Sequence, residues 1–123
     1  MGLLTKKNLL TKQQLEIKQV DLDDGNYVFV KEMTGHERDS FEKSLYVVTG
    51  EGKNSKVTTK LDDFRAKLAV CTVCDEKGEL LLAFSDYPKL AKSISARNLE
   101  KIVNEAQSLN KISEDDKEAL TKN

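Results

Sequence analysis

From residue 15 to residue 33 the apolar side chains recur at every second position, and one polar cluster interrupts the run. Leu15, Ile17 and Gln19 form the first arm. Tyr27, Phe29, Lys31 and Met33 form the second on one side, with Val28 and Val30 on the other. Period two is the mark of a strand. Asp23-Asp24-Gly25-Asn26 between the arms is turn chemistry, because Asp and Asn bond their own backbone and Gly accepts positive φ. The segment therefore predicts a β-hairpin. A two-stranded hairpin is marginal alone in water, so this one must lie on something helical.

Helical signals follow. Thr34-Gly35-His36-Glu37 reads as a capping box, with Thr34 as N-cap and Glu37 reaching back to its amide. Phe41, Leu45 and Val48 continue at helical spacing, so a helix is expected from about Gly35 to Val47. Residues 49–60 hold two Gly and little to bury, which predicts a mobile solvent loop. A second helix is expected near Leu61, with Asp62 and Asp63 at its positive end and Phe64, Leu68, Val70 and Cys71 as its stripe. It should stop at Asp75-Glu76-Lys77-Gly78. Asp86 before Tyr87-Pro88 predicts the N-cap of a short third helix. Leu99, Ile102, Val103, Ala106 and Leu109 define the clearest amphipathic helix, with Asn110 in a left-handed cap and Ile112 folding back.

The ends read as weaker. Leu3-Leu4-Thr5-Lys6 is echoed by Leu9-Leu10-Thr11-Lys12, and Thr11 with Gln14 makes a second capping-box pair. Residues 1–10 are expected to form a flexible arm. Ser113 and Asp116 open a weak terminal helix through Leu120, so 113–123 should fray. The expectation is one domain over 1–123: an α+β fold, mostly helical, with an N-terminal β-hairpin packed on about four α-helices.

Charge and composition exclude several functions. Lys and Arg number 20 against 21 Asp and Glu, a net charge of −1, and no basic stripe stands out. Nucleic-acid binders draw affinity from neutralising phosphates, so no nucleic-acid partner is expected. No apolar run approaches the roughly 20 residues that span a bilayer, which argues against membrane insertion. Met1-Gly2-Leu3-Leu4-Thr5-Lys6-Lys7 lacks the pattern of a signal peptide, and residue 6 is not the Ser or Thr of a myristoylation site. A cytoplasmic protein is expected.

No catalytic, cofactor or metal site is expected. Cys71-Thr72-Val73-Cys74 has CxxC spacing, but it falls at the far end of a helix, where the local field raises a thiol pKa. Zinc would need two more ligands, and His36 is the only histidine. Buried structural cysteines are the simpler reading. The alternative is a thiol-based redox or metal-sensing protein using Cys71 and Cys74. The carboxylate pairs open helices, and no phosphate-binding or nucleophile motif occurs.

Leu80-Leu81-Leu82-Ala83-Phe84 is the segment with most to offer a partner. It is too short for a free helix, and five consecutive apolar residues on an extended piece cannot all face inward. Leu80, Leu82 and Phe84 should point one way, Leu81 and Ala83 the other. Either a neighbouring helix covers both faces or one stays open for docking, and solvent exposure decides between them.

Three blocks also carry a resemblance. Gly25-Asn26-Tyr27-Val28-Phe29-Val30-Lys31-Glu32-Met33-Thr34-Gly35-His36-Glu37-Arg38-Asp39 resembles the strand, Thr-Gly and Glu-Arg-Asp helix start of tail assembly chaperones from long-tailed bacteriophages and prophages. Residues 67–81, with Asp75-Glu76-Lys77-Gly78 at their centre, are similar to that family's helix, acidic turn and apolar piece. Residues 99–110 are similar to its late helix ending in Leu-Asn. Order and spacing agree over about residues 9–120, while Lys31 stands where Arg is common and Asp23-Asp24 replace a bulkier turn.

The resemblance implies a protein that binds the tape measure protein and keeps its long apolar helices soluble while tail tube protein polymerises around it. It further implies a place in the cytoplasm of the bacterial host and absence from the mature virion. Self-association is one more contact left open, and a structural tail subunit is the neighbouring alternative. Family members are often made in two forms by programmed ribosomal frameshifting, and this chain would be the short one. The expected slip site lies across Thr121-Lys122-Asn123, whose codons can spell an A-rich slippery heptamer ending in the Lys and Asn codons. The nucleotide sequence checks it: Lys122 encoded AAG, or no open minus-one frame beyond Asn123, rules the slip out.

Overall fold

The computed structural model describes residues 2–11, 15–50, 52–59 and 63–112. Its elements run α1 (Lys6–Leu10), β1 (Ile17–Asp21), β2 (Tyr27–Lys31), α2 (Gly35–Lys43), β3 (Tyr46–Thr49), β4 (Lys56–Thr59), α3 (Phe64–Thr72), β5 (Val73–Cys74), α4 (Tyr87–Ser93) and α5 (Ala96–Leu109). The fold is α+β and mostly helical, with the expected hairpin at its start.

β1 and β2 pair antiparallel, with Ile17 opposite Lys31 and Val20 opposite Val28. Asp24 and Gly25 in the turn take positive φ, 63° and 77°, the backbone that this polar cluster tolerates best. Val20 and Val30 are buried on the face that α5 covers, and Leu22 and Val28 pack at its margin. The turn is fastened to α5 as well. Asp23 accepts from Lys101 Nζ at 2.9 Å and lies 3.5 Å from Arg97, and its amide donates to Asn98 Oδ1.

The hairpin gains a third strand that the sequence does not announce. α3 stops at Thr72, and Val73–Cys74 turns into β5, antiparallel to β2 with Cys74 opposite Phe29. The unpaired edge of β2 gives these two residues a ladder, and that outweighs one more helical turn.

α2 begins as read, with both halves of the Thr34–Glu37 capping box formed. It ends at Lys43, four residues short of expectation. Tyr46–Thr49 is β3 instead, paired with Lys56–Thr59. Residues 49–60 are therefore not simply a loop. Both arms are β-branched or aromatic in the main, and such residues lose rotamer freedom in a helix but fit a pleated pair.

α3 starts at Phe64, after Asp63 in the left-handed region, and its side-chain cap is missing. Leu61 and Asp62 lie outside the described residues. Ala66, Lys67, Leu68, Ala69, Val70 and Thr72 are all buried, so α3 is the central helix rather than an amphipathic one. Phe41, Phe64, Leu68 and Ala69 meet Val30, Ile102, Val103 and Ala106 around it. The Thr72 hydroxyl donates to the Leu68 carbonyl at 2.8 Å, which satisfies a fully buried polar group.

α4 has Asp86 at its N-cap and Pro88 in its first turn. The Asp86 carboxylate, however, accepts from the Ala83 amide behind it. α5 carries the expected stripe, with Ile102, Val103 and Ala106 buried and Leu99 and Leu109 at the margin. Its C-terminus corrects one detail. Asn110 has φ −98°, and Lys111 is the left-handed residue at φ 57°. Ile112 N–H donates to Gln107 and Lys111 N–H to Ser108, a Schellman closure one residue later than read, with Ile112 buried.

The N-terminal cap also differs. Thr5 and Asn8 form the box that opens α1, and Thr11 ends that helix. Gln14 and the terminal segment 113–123 lie outside the described residues.

Candidate partner-binding groove

Three elements enclose an apolar hollow of about 310 Å³. α2 supplies His36, Glu37, Ser40 and Phe41 and its C-cap Ser44, the last turn of α3 supplies Cys71, and the segment after β5 supplies Leu80 and Phe84.

The outer wall is held by two short turns. Asp75 Oδ1 accepts from the Lys77 and Glu79 amides at 2.8 and 3.0 Å, and those bonds hold its carboxyl below the usual range. Gly78 sits at φ 88° with its Cα hydrogen facing Ile17, where a Cβ would stand 3.1 Å from Ile17 Cδ1. Leu80 bridges back to Cys74, and Leu81 N–H donates to the Val73 carbonyl. The chain then bends, and Ala83 and Asp86 close a second turn through the Ala83 amide and carbonyl. Phe84 packs on Tyr87 with centroids 5.3 Å apart, and Lys67 Nζ lies 5.2 Å over the Tyr87 ring.

Leu80, Leu81 and Phe84 are 41%, 57% and 42% exposed, so no helix among the described residues covers this segment. Leu80 and Phe84 share the groove side as the alternation predicts. Leu82 does not line the groove and is half-buried. The reason is the bend at 81–82, which breaks the period of an extended piece.

A second, more polar channel of about 900 Å³ continues from the groove, sharing His36, Glu37 and Leu80 with it. Leu15, Ile17, Glu76 and Glu79 line it. Between the two, Lys31 Nζ donates to Glu37 Oε1, and the lysine side chain is almost wholly enclosed. The sequence showed Lys31 only as one position of a strand, and nothing local marks its burial.

Burial pushes the Cys71 thiol up to about 11, with the Glu37 charge adding to the rise and Lys31 opposing it. Cys74, buried in β5, is raised by burial too. Both thiols are therefore protonated at neutral pH and poor nucleophiles. Native protein is expected to react slowly with a thiol reagent at pH 7 and fast once denatured. Rapid labelling of the native chain would return Cys71 and Cys74 to the redox reading.

Among the described residues no three His, Cys, Asp or Glu side chains converge as a metal site, and no helix is long and apolar enough to cross a membrane. No family model, curated protein or solved structure matches this chain.

Proposed function

We propose that this chain is a tail assembly chaperone that binds apolar helical segments of a tape measure protein while tail tube subunits polymerise around it. The observation that carries the reading is the open Phe41–Cys71–Leu80–Phe84 groove, apolar and held by turns that need no partner. A monomer gains nothing by fixing Leu80 and Phe84 in water, whereas a helix laid into such a groove buries them with two or three of its own side chains. The three sequence blocks that resemble the family supply the identity of the client. They also supply the expectation of action in the host cytoplasm and absence from the virion. Two of them, residues 25–39 and 67–81, build part of this groove.

Co-expression with the neighbouring large, helix-rich gene product tests the proposal. The wild-type chain should move that product into the soluble fraction, and Leu80→Asp with Phe84→Asp should return it to the pellet. Equal solubility with and without this chain would sink the reading, and so would this chain as a stoichiometric component of purified virions.

A further inference from the structure

Residues 2–11 present a concentration of bare leucine. Leu3, Leu4, Leu9 and Leu10 are exposed, Leu9 and Leu10 by 63% and 75%. The last two ride on α1, whose start is fully capped: Thr5 accepts from the Asn8 amide, and Asn8 Oδ1 accepts from the Thr5 amide. No residue of α1 is buried. Helices shorter than about 12–15 residues are marginal in water unless their apolar face packs on something. A capped turn carrying uncovered leucines is therefore half of a contact.

The other half has the right chemistry and the right place. The groove is apolar where leucines would enter, and beyond the Lys31–Glu37 pair the acids Glu76 and Glu79 stand along its polar channel. Of the basic groups there, Lys31 is already paired with Glu37, which leaves Lys77. Residues 2–12 carry Lys6, Lys7 and Lys12 and no acid. The arm is also rooted beside the groove, because Leu15 lines the channel that opens into it. Yet residues 2–11 are exposed throughout in the single chain, so the arm does not fill its own groove. When two copies bring these faces together, each root stands next to the other copy's groove, and a reciprocal exchange satisfies both at once.

We infer that the 2–11 arm of one copy, Leu9 and Leu10 foremost, seats in the Phe41–Cys71–Leu80–Phe84 groove of a second copy. If the groove is also the client site proposed above, arm and client compete for it. The contact itself needs no client, so it stands or fails separately.

Sedimentation of the full chain over a range of concentrations tests the inference. Wild type should form a dimer that dissociates on dilution. Leu9→Asp with Leu10→Asp, and separately Leu80→Asp with Phe84→Asp, should each weaken it by about tenfold or more, as central apolar anchors do. All four side chains are exposed, so circular dichroism should show both variants folded. Mixed in equal amounts, the two variants should regain a one-to-one complex, because one keeps a sound arm and the other a sound groove. A wild type that stays monomeric, a dimer that survives both variants, or a mixture that stays monomeric each overturns the inference.

Discussion

Asn110→Ala should cost the fold about 2–4 kcal/mol, read as a lower urea midpoint with an unchanged slope. The Asn110 side chain is a buried junction between α5, the end of β2 and the connection that follows it. Its Oδ1 accepts from the Met33 amide at 2.7 Å, and its Nδ2 donates to the Ala106 carbonyl at 2.9 Å and to the Lys31 carbonyl at 3.4 Å. Alanine leaves the Met33 amide buried with no acceptor, and an orphaned buried donor costs about 1–3 kcal/mol on its own. The loss of the donor side adds to that. The Asn110 main-chain carbonyl still accepts from Arg38 Nη1, so α2 keeps one tether to the end of α5. Asn110→Asp separates the two halves of the side chain: it retains an acceptor for Met33 but turns a carboxylate toward two carbonyls. It should be at least as damaging as alanine. A loss below about 1 kcal/mol for Asn110→Ala would mean that water replaces these bonds and the junction is not what holds the end of β2 against α5.

The parts of this fold legible in the sequence are those whose cause is local. The Asp23-Asp24-Gly25-Asn26 turn, the Thr34–Glu37 box and the α5 stripe each carry their own reason for forming, and each is where the pattern puts it. Elements held by distant partners were not legible. Val73 and Cys74 are a strand only because β2 offers an edge. The stripe of α3 hid its central position, although one lysine among eight residues from Ala66 to Val73 is itself the mark of a helix covered on every side. Tyr46-Val47-Val48-Thr49 continued a helical spacing while its β-branched composition pointed to a strand, and composition prevailed. At Asn110 the sequence pattern speaks only of the backbone, whereas the side chain is engaged by the Met33 amide. The groove divides along the same line. Five apolar residues in a row flagged its outer wall, whereas its floor, Phe41 and Cys71, comes from two helices that only tertiary packing brings together.

Between that floor and the polar channel lies the Lys31–Glu37 pair, and its two halves should not be equivalent. The Lys31 side chain is 6% exposed and that of Glu37 30%. Removing Glu37 strands an enclosed ammonium, for which about 3–5 kcal/mol is the usual penalty. Glu37→Ala also deletes the carboxylate that accepts from the Thr34 amide, a cap worth about 1 kcal/mol more. Removing Lys31 strands very little, because Glu37 keeps the Thr34 amide and reaches water. Lys31→Met fills the same space without a charge and should fall within about 1 kcal/mol of wild type, on either side. Acid should narrow the gap between wild type and Glu37→Ala. Burial by itself would raise the Glu37 carboxyl, but bonds from Lys31 and Thr34 together outweigh it and leave the group below its ordinary value. A carboxylate favoured in this way stabilises the fold above its unfolded pKa, and the contribution fades as pH falls through the lower folded value. Denaturation of both variants at neutral and acid pH tests the asymmetry. If Lys31→Met costs as much as Glu37→Ala, the pair contributes net stability of its own and the two halves are equivalent after all.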